Sequence, residues 1–190
     1  MTDTLADSRT SSRVFTEGVP LVVEDVRRRP AADREAVLAD PGFGRHFTDS
    51  MFVARYVAGQ GWVDARLTSY APLQMDPSAA ALHYAQSIFE GLKAYAQPDG
   101  SVATFRPEAN AARFARGARR LAMPVVPEES FLTAVDALVD ADRDWVPTGP
   151  DQTLYIRPYQ LASEPFLGAR RSPSTCPRTT SGQRPGAPAT

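Results

Sequence analysis

The sequence holds one cysteine, Cys176, in 190 residues. That excludes an intramolecular disulfide and any cysteine-rich metal site. Histidine is almost as scarce: His46 and His83 are the only two, which argues against a His-based zinc site, and no metal is expected. No apolar run approaches the roughly 18 residues needed to cross a bilayer. The start, Met1-Thr2-Asp3-Thr4-Leu5, has neither a basic residue nor an apolar core, so it does not read as a secretory signal. Excess charge is missing too: 21 Lys and Arg face 22 Asp and Glu, a net charge of −1. This argues against a nucleic-acid footprint and a polybasic membrane patch. Among those basic residues only Lys93 is lysine, so any chemistry that needs a lysine amine has one candidate. The expectation is a soluble, reduced, cytoplasmic protein of one domain or slightly more.

What is present is an ordinary globular composition, 43% hydrophobic and 23% charged. Residues 1–20 are rich in Ser, Thr and Asp without a period and read as a flexible lead-in. Leu21-Val22-Val23 can begin a strand, and Ala31 to Ala39 can form a short helix. Two β-branched and aromatic stretches, 51–57 and 62–67, flank Gly59-Gln60-Gly61 and predict a hairpin. A second hairpin is predicted from 92–96 and 101–105 around Gln97-Pro98-Asp99-Gly100, where Pro presets φ and Gly accepts φ > 0.

Pro107-Glu108 opens a helix whose face would be Ala111, Phe114, Ala118 and Leu121. Pro127-Glu128-Glu129 opens another, with Phe131, Val135, Leu138 and Val139 apolar. Leu154 to Tyr159 alternates as a strand, Leu154 and Ile156 on one face, Tyr155, Arg157 and Tyr159 on the other. Strands, then helices, then a strand indicate an α+β fold. Residues 172–190 contain Pro173, Pro177, Pro185 and Pro188 and no Leu, Ile, Val, Phe, Tyr or Trp. Such a segment buries too little apolar surface to offset its ordering entropy, and disorder is expected.

From the residues alone, the Tyr155/Arg157/Tyr159 face is the best candidate site, because an arginine in an apolar strand must meet an anion, a carboxylate or water. An edge strand with a solvated polar face explains it equally well. Arg113, Arg116 and Arg120 lie on the flank and back of a helix and read first as its wet face. Glu90, among apolar residues, is either a buried hydrogen-bonded acid or part of a turn, and His83 is more readily a packed residue than a general base.

Five stretches in order carry a resemblance: Phe43 to Met51, Leu82 to Tyr95, Phe105-Arg106-Pro107 with Asn110 to Arg113, Arg119 to Pro124, and Leu154 to Pro158 with Glu164 to Gly168. Together they resemble the branched-chain amino acid aminotransferases, fold-type IV enzymes that use pyridoxal 5′-phosphate. The resemblance covers about residues 20–171 and corresponds to the family's small N-terminal domain, with a mixed or antiparallel sheet and two main helices. With the composition, it gives three expected segments: 1–20 flexible, 21–171 the small α+β domain, and 172–190 a disordered tail whose composition suits a frame-shifted reading.

The resemblance implies that Arg113 helps hold the cofactor phosphate, a role suited to a guanidinium. Phe43, Tyr84, Phe89 and Tyr155 would line an apolar pocket for the substrate side chain. Arg157 would stand on the pocket wall and take part in substrate recognition. Leu167 and Ala169 would lie in a loop reaching the partner's active site in a homodimer. Ser50 stands where the family usually carries histidine.

The implied activity exchanges an amino group between leucine, isoleucine or valine and 2-oxoglutarate, so the partners are branched-chain amino acids and 2-oxo acids. The family's Schiff-base lysine, followed by Gly-Gly-Asn-Tyr, does not occur in this sequence, so no catalytic residue is assigned. Lys93 matches a different lysine of the family. The expectation is an incomplete chain without activity of its own. Other readings are a non-catalytic small-domain protein for pairing or ligand capture, or another fold-type IV enzyme such as a D-amino acid aminotransferase or aminodeoxychorismate lyase.

Overall fold

A computed structural model describes residues 13–168 and the backbone of 174–184. In chain order the elements are β1 (Val14–Thr16), β2 (Val19–Pro20), β3 (Val22–Val23), α1 (Ala31–Ala39), β4 (Phe47–Val57), β5 (Gly61–Ser69), α2 (Ala80–Tyr84), β6 (Ser87–Phe89) and β7 (Leu92–Ala96). They continue with β8 (Val102–Thr104), α3 (Pro107–Arg120), α4 (Glu128–Ala141), a 3-10 turn (Arg143–Trp145), β9 (Thr153–Ala162) and β10 (Ser174–Arg184). The α+β class and the two main helices are as expected from the sequence.

Eight strands form one sheet in the order β3-β5-β4-β10-β9-β7-β8, with β6 pairing β9 beside β7. Every pair is antiparallel except β3 with β5. Both predicted hairpins form. Tyr56 opposes Trp62 across the first, and Gly59 takes a φ of +81° in its turn. In the second, Gly100 N–H donates to Gln97 O at 3.0 Å, and the Asp99 carboxylate accepts Ser101 N–H at 2.9 Å. That side-chain bond fixes the turn from within.

Helices α3 and α4 pack on one face of this sheet. Phe131, Val135, Leu138 and Val139 of α4 are buried as the spacing predicts, and Phe114 of α3 meets Phe131 at 5.4 Å between ring centres. Beneath them lie Leu154 and Ile156 of β9 with Phe52, Trp62, Leu67 and Trp145. Leu121 differs from expectation: it is the C-cap of α3 and partly exposed, while Ala115 joins the buried face.

Two segments differ from the sequence expectation. Of the lead-in placed at 1–20, residues 1–12 lie outside the described residues, whereas β1 and β2 pair and Phe15 is 2% exposed against Phe52 and Trp62. One large aromatic ring in a polar stretch is enough to anchor it, and a composition average hides that.

The second segment is the tail at 172–190 expected to be disordered, of which residues 172–173 and 185–190 lie outside the described residues. The backbone of Ser174–Arg184 runs between β4 and β9 and joins what would otherwise be two separate sheets. Strand pairing draws on main-chain N–H and C=O groups, which every residue but proline supplies in full, so hydrophobic composition is silent about it. Pro177 alone lacks a donor there.

Candidate active site

Alternation along β9 builds the site. Leu154, Ile156, Pro158 and Gln160 are buried toward the helices, and Tyr155, Arg157 and Tyr159 are half-buried on the opposite face. β9 is an interior strand, flanked by β10 on one side and by β6 and β7 on the other. The solvated-edge explanation of this face therefore does not hold. The Arg157 guanidinium lies 4.5 Å from the Phe89 ring centre and 5.1 Å from that of Tyr155. Tyr155 in turn meets Phe43 edge-on, with ring centres 5.8 Å apart and planes at 69°. Four residues that the resemblance assigns to one pocket, Phe43, Phe89, Tyr155 and Arg157, thus touch one another. Aromatic faces attract a cation without consuming its hydrogen-bond donors, so Arg157 can still receive a carboxylate.

Arg113 reaches the same region from α3. Its Nε donates to Oε1 of Glu90, a residue only 1% exposed, while the Arg113 side chain itself is 61% exposed. Glu90 Oε2 accepts Asn110 Nδ2 at 2.8 Å and the Gly91 N–H at 3.4 Å. The carboxylate beside it raises the Arg113 pKa above its ordinary value, first through the hydrogen bond and then through charge, and Tyr155 adds to the rise. Gly91 connects the two clusters, because a Cβ there would overlap the Tyr155 hydroxyl. Arg113, Glu90, Gly91, Tyr155 and Phe43 form a continuous chain of contacts.

Glu90, Gly91 and Asn110 had no assigned role in the sequence reading. The signal for Asn110 was available: residues three apart on a helix share a face, and Asn110 and Arg113 both address Glu90. Nothing in the sequence distinguishes a buried Glu90 from a turn residue.

Other expected site residues are placed less centrally. Tyr84 ends α2 with its ring 6.5 Å from that of His83. His83 Nε2 lies 2.8 Å from the Pro77 carbonyl, which gives it a structural partner. Leu167 is 65% exposed in the segment after β9. An Ala79–Pro165 bridge sets that segment beside α2. Among the described residues no ring contact or hydrogen bond joins Tyr84 or Leu167 to the Phe43–Tyr155 cluster. Ala169 lies outside the described residues.

Lys93 sits on β7 opposite Tyr155 and is half-buried. Ser50 is fully buried and donates its hydroxyl to Asp142 at 2.7 Å, away from the site. A cleft lined by Arg13, Thr104, Asp136 and Arg143 involves none of the cluster residues. No group of three or more potential metal ligands occurs among the described residues. No helix among them is long and apolar enough to cross a membrane.

No family model matches the sequence. Among curated proteins, a probable branched-chain-amino-acid aminotransferase of Streptomyces coelicolor is 56% identical over 140 residues, 73% of this chain and 39% of that protein. The branched-chain aminotransferase of Thermoproteus uzoniensis, solved with norvaline, has a TM-score of 0.53 at 24% identity over 70% of this chain and 40% of its own. The branched-chain amino acid aminotransferase of Escherichia coli gives 0.52 at 18% identity over 70% and 40%. A further branched-chain amino acid aminotransferase, solved with pyridoxamine 5′-phosphate, gives 0.52 at 22% identity over 73% and 41%. At these identities the three structures bear on the fold alone. The chain spans about two fifths of the length of the relatives it matches. The order of motifs, the fold and the 56% identity agree: over 73% of its length the chain is similar to a part, about two fifths, of a branched-chain-amino-acid aminotransferase.

Proposed function

We propose that this chain provides the substrate-side wall and one phosphate contact of a pyridoxal-phosphate-dependent transaminase acting on leucine, isoleucine and valine with 2-oxoglutarate. The observation that carries this reading is the junction of two clusters at Gly91 and Tyr155. One cluster is aromatic and apolar, with a guanidinium at its rim. The other presents a second guanidinium on a buried carboxylate. An α-amino acid with an aliphatic side chain and a phosphorylated cofactor offer matching chemistry. Phe43, Phe89 and Tyr155 would exclude water and seat the side chain, with Arg157 receiving a carboxylate. Arg113, exposed and fixed by Glu90, fits a phosphate oxygen. When bound, the cofactor supplies the electron sink that lets an α-carbon lose its proton.

Further parts of the reading extend beyond these contacts. Tyr84, Leu167 and Ala169 would complete the pocket, in a cytoplasmic homodimer. Exposure of Phe89 at 64%, together with Tyr84 and Leu167, supports a covering surface from another chain or segment. The lone lysine matches a family lysine other than the Schiff-base one, and the 190-residue chain is expected to bind but not to turn over substrate.

The test combines binding and turnover on the purified chain. Pyridoxamine 5′-phosphate is titrated by isothermal calorimetry, and glutamate formation from leucine and 2-oxoglutarate is measured with pyridoxal phosphate present. The reading expects binding that Arg113→Ala weakens about tenfold or more, and no glutamate. Binding indifferent to Arg113→Ala, or glutamate formation abolished by Lys93→Ala, would overturn it.

A further inference from the structure

We infer that Glu90 is a positioning residue: it holds the Nε edge of the Arg113 guanidinium from below, so that the Nη edge is presented to an anion at the junction with Tyr155. The inference rests on the reading of Arg113 as a phosphate contact and adds the device that would make one exposed arginine effective. Four observations carry it. Glu90 is almost fully buried, although burying a carboxylate is costly unless several donors meet it. Three donors do so: Asn110 Nδ2, the Gly91 N–H and Arg113 Nε. Asn110 and Arg113 stand one turn apart on α3, a helix that packs against β6, where Gly117 lets it approach Ile88. The Glu90 N–H, finally, donates to Pro158 O at 2.8 Å, which ties the carboxylate's own backbone to β9, the strand that carries Tyr155 and Arg157. Arg113 is thereby referenced to the substrate face through one buried side chain.

A free surface arginine loses rotamer freedom when it captures an anion. Glu90 removes that loss in advance by fixing Nε and leaving the Nη hydrogens for another acceptor. Electrostatics acts in the opposite sense. The Glu90 charge is negative, and on charge alone it weakens binding of any anion nearby. The two effects predict opposite signs for Glu90→Gln, which keeps the shape and removes the charge. If Glu90 only balances Arg113, the substitution tightens anion binding. If Glu90 orients Arg113, the substitution weakens it.

The experiment titrates pyridoxamine 5′-phosphate and, separately, inorganic phosphate into the full chain, followed by amide NMR of residues 90–91 and 110–113. The expected result is a dissociation constant raised about three- to tenfold by Glu90→Gln. Arg113→Lys, which keeps the charge but loses the rigid guanidinium plane with its separate Nε and Nη edges, is expected to weaken binding nearly as much as Arg113→Ala. Unchanged or tighter binding in Glu90→Gln would overturn the inference while Arg113→Ala still weakens binding. Binding indifferent to both variants would instead remove the phosphate reading beneath it. Should Glu90→Gln fail to fold, the Arg113 Nε–H resonance of the unsubstituted chain decides. Slow exchange with water that persists on adding phosphate supports positioning, and rapid exchange overturns it.

Discussion

Gly91 and Tyr155 are apposed so closely that the tyrosine hydroxyl occupies the space a Cβ at residue 91 would need, with the ring Cζ 3.0 Å from that position. Gly91 does not have a positive φ, so the requirement is steric rather than conformational. Gly91→Ala is expected to push Tyr155 out and separate it from Phe43, at a cost of about 1–3 kcal/mol, the usual range for overpacking. Chemical denaturation reads the loss. Adding Tyr155→Phe removes the worst overlap but leaves Cζ and Cε2 tight, so the double variant is expected to recover only part of it. Full additivity of the two changes would contradict the contact.

The end of α3 is a backbone motif with an unfavourable residue in it. Ala122 takes a φ of +52°, its N–H donates to Arg119 O at 3.2 Å, and the Met123 N–H donates to Ala118 O at 2.9 Å. This is the Schellman pattern, with buried Met123 as the apolar residue that follows, and glycine is favoured at its left-handed position. An L-residue there costs about 1–2 kcal/mol, part of which glycine gives back as unfolded-chain entropy. Ala122→Gly is expected to stabilise the chain by a net of about 0.5–1 kcal/mol. Ala85, with a φ of +51° at the end of α2, is expected to respond in the same direction. A fall in the melting temperature of Ala122→Gly would contradict this.

What the sequence made legible follows from range. The hairpin turns at Gly59 and Gly100, the proline-led starts of α3 and α4 and the alternation along β9 are set by residues a few positions apart, and the structure keeps them. Alternation placed Tyr155 beside Arg157, but the joining of Phe43 and Phe89 to that face was legible only through the resemblance, since no spacing brings residue 43 to residue 155. Glu90 was ambiguous because its burial depends on two residues of a helix some twenty positions later. The place of Ser174–Arg184 between β4 and β9 depends on main-chain pairing, to which hydropathy does not respond.

The residue at position 50 is matched to its surroundings. Ser50 and Asp142 are both fully buried, joined by the 2.7 Å hydroxyl–carboxylate bond, and Arg28 Nη1 lies 3.5 Å from the same carboxylate oxygen. Removing the acceptor strands a buried hydroxyl, whereas removing the hydroxyl leaves a carboxylate that still has Arg28. Asp142→Ala is therefore expected to cost about 2–3 kcal/mol and Ser50→Ala about 1 kcal/mol, with the double variant less destabilised than the sum. Urea unfolding of the three variants tests the order, and an equal cost for the two single changes would show that the bond does not set it.

Asp136 supplies a pH dependence of known sign. It stands on α4 with Asp140 one turn on. Desolvation first, and then the Asp140 charge, raise its pKa above the ordinary carboxylate value, while Arg13 opposes the rise. A carboxyl whose pKa is higher folded than unfolded binds its proton more tightly in the native state, so stability falls as pH climbs through the window between the two values. Above that window the ionised group is a standing penalty, kept small by the exposure of its outer edge. Asp136→Asn abolishes the penalty. The variant is expected to melt higher than the unsubstituted chain at pH 7 to 8, with the difference shrinking as the pH is lowered toward and below the ordinary Asp range. Melting curves across that series check it. A difference that grows on acidification would mean that the Arg13 attraction outweighs burial and that the carboxylate is stabilising after all.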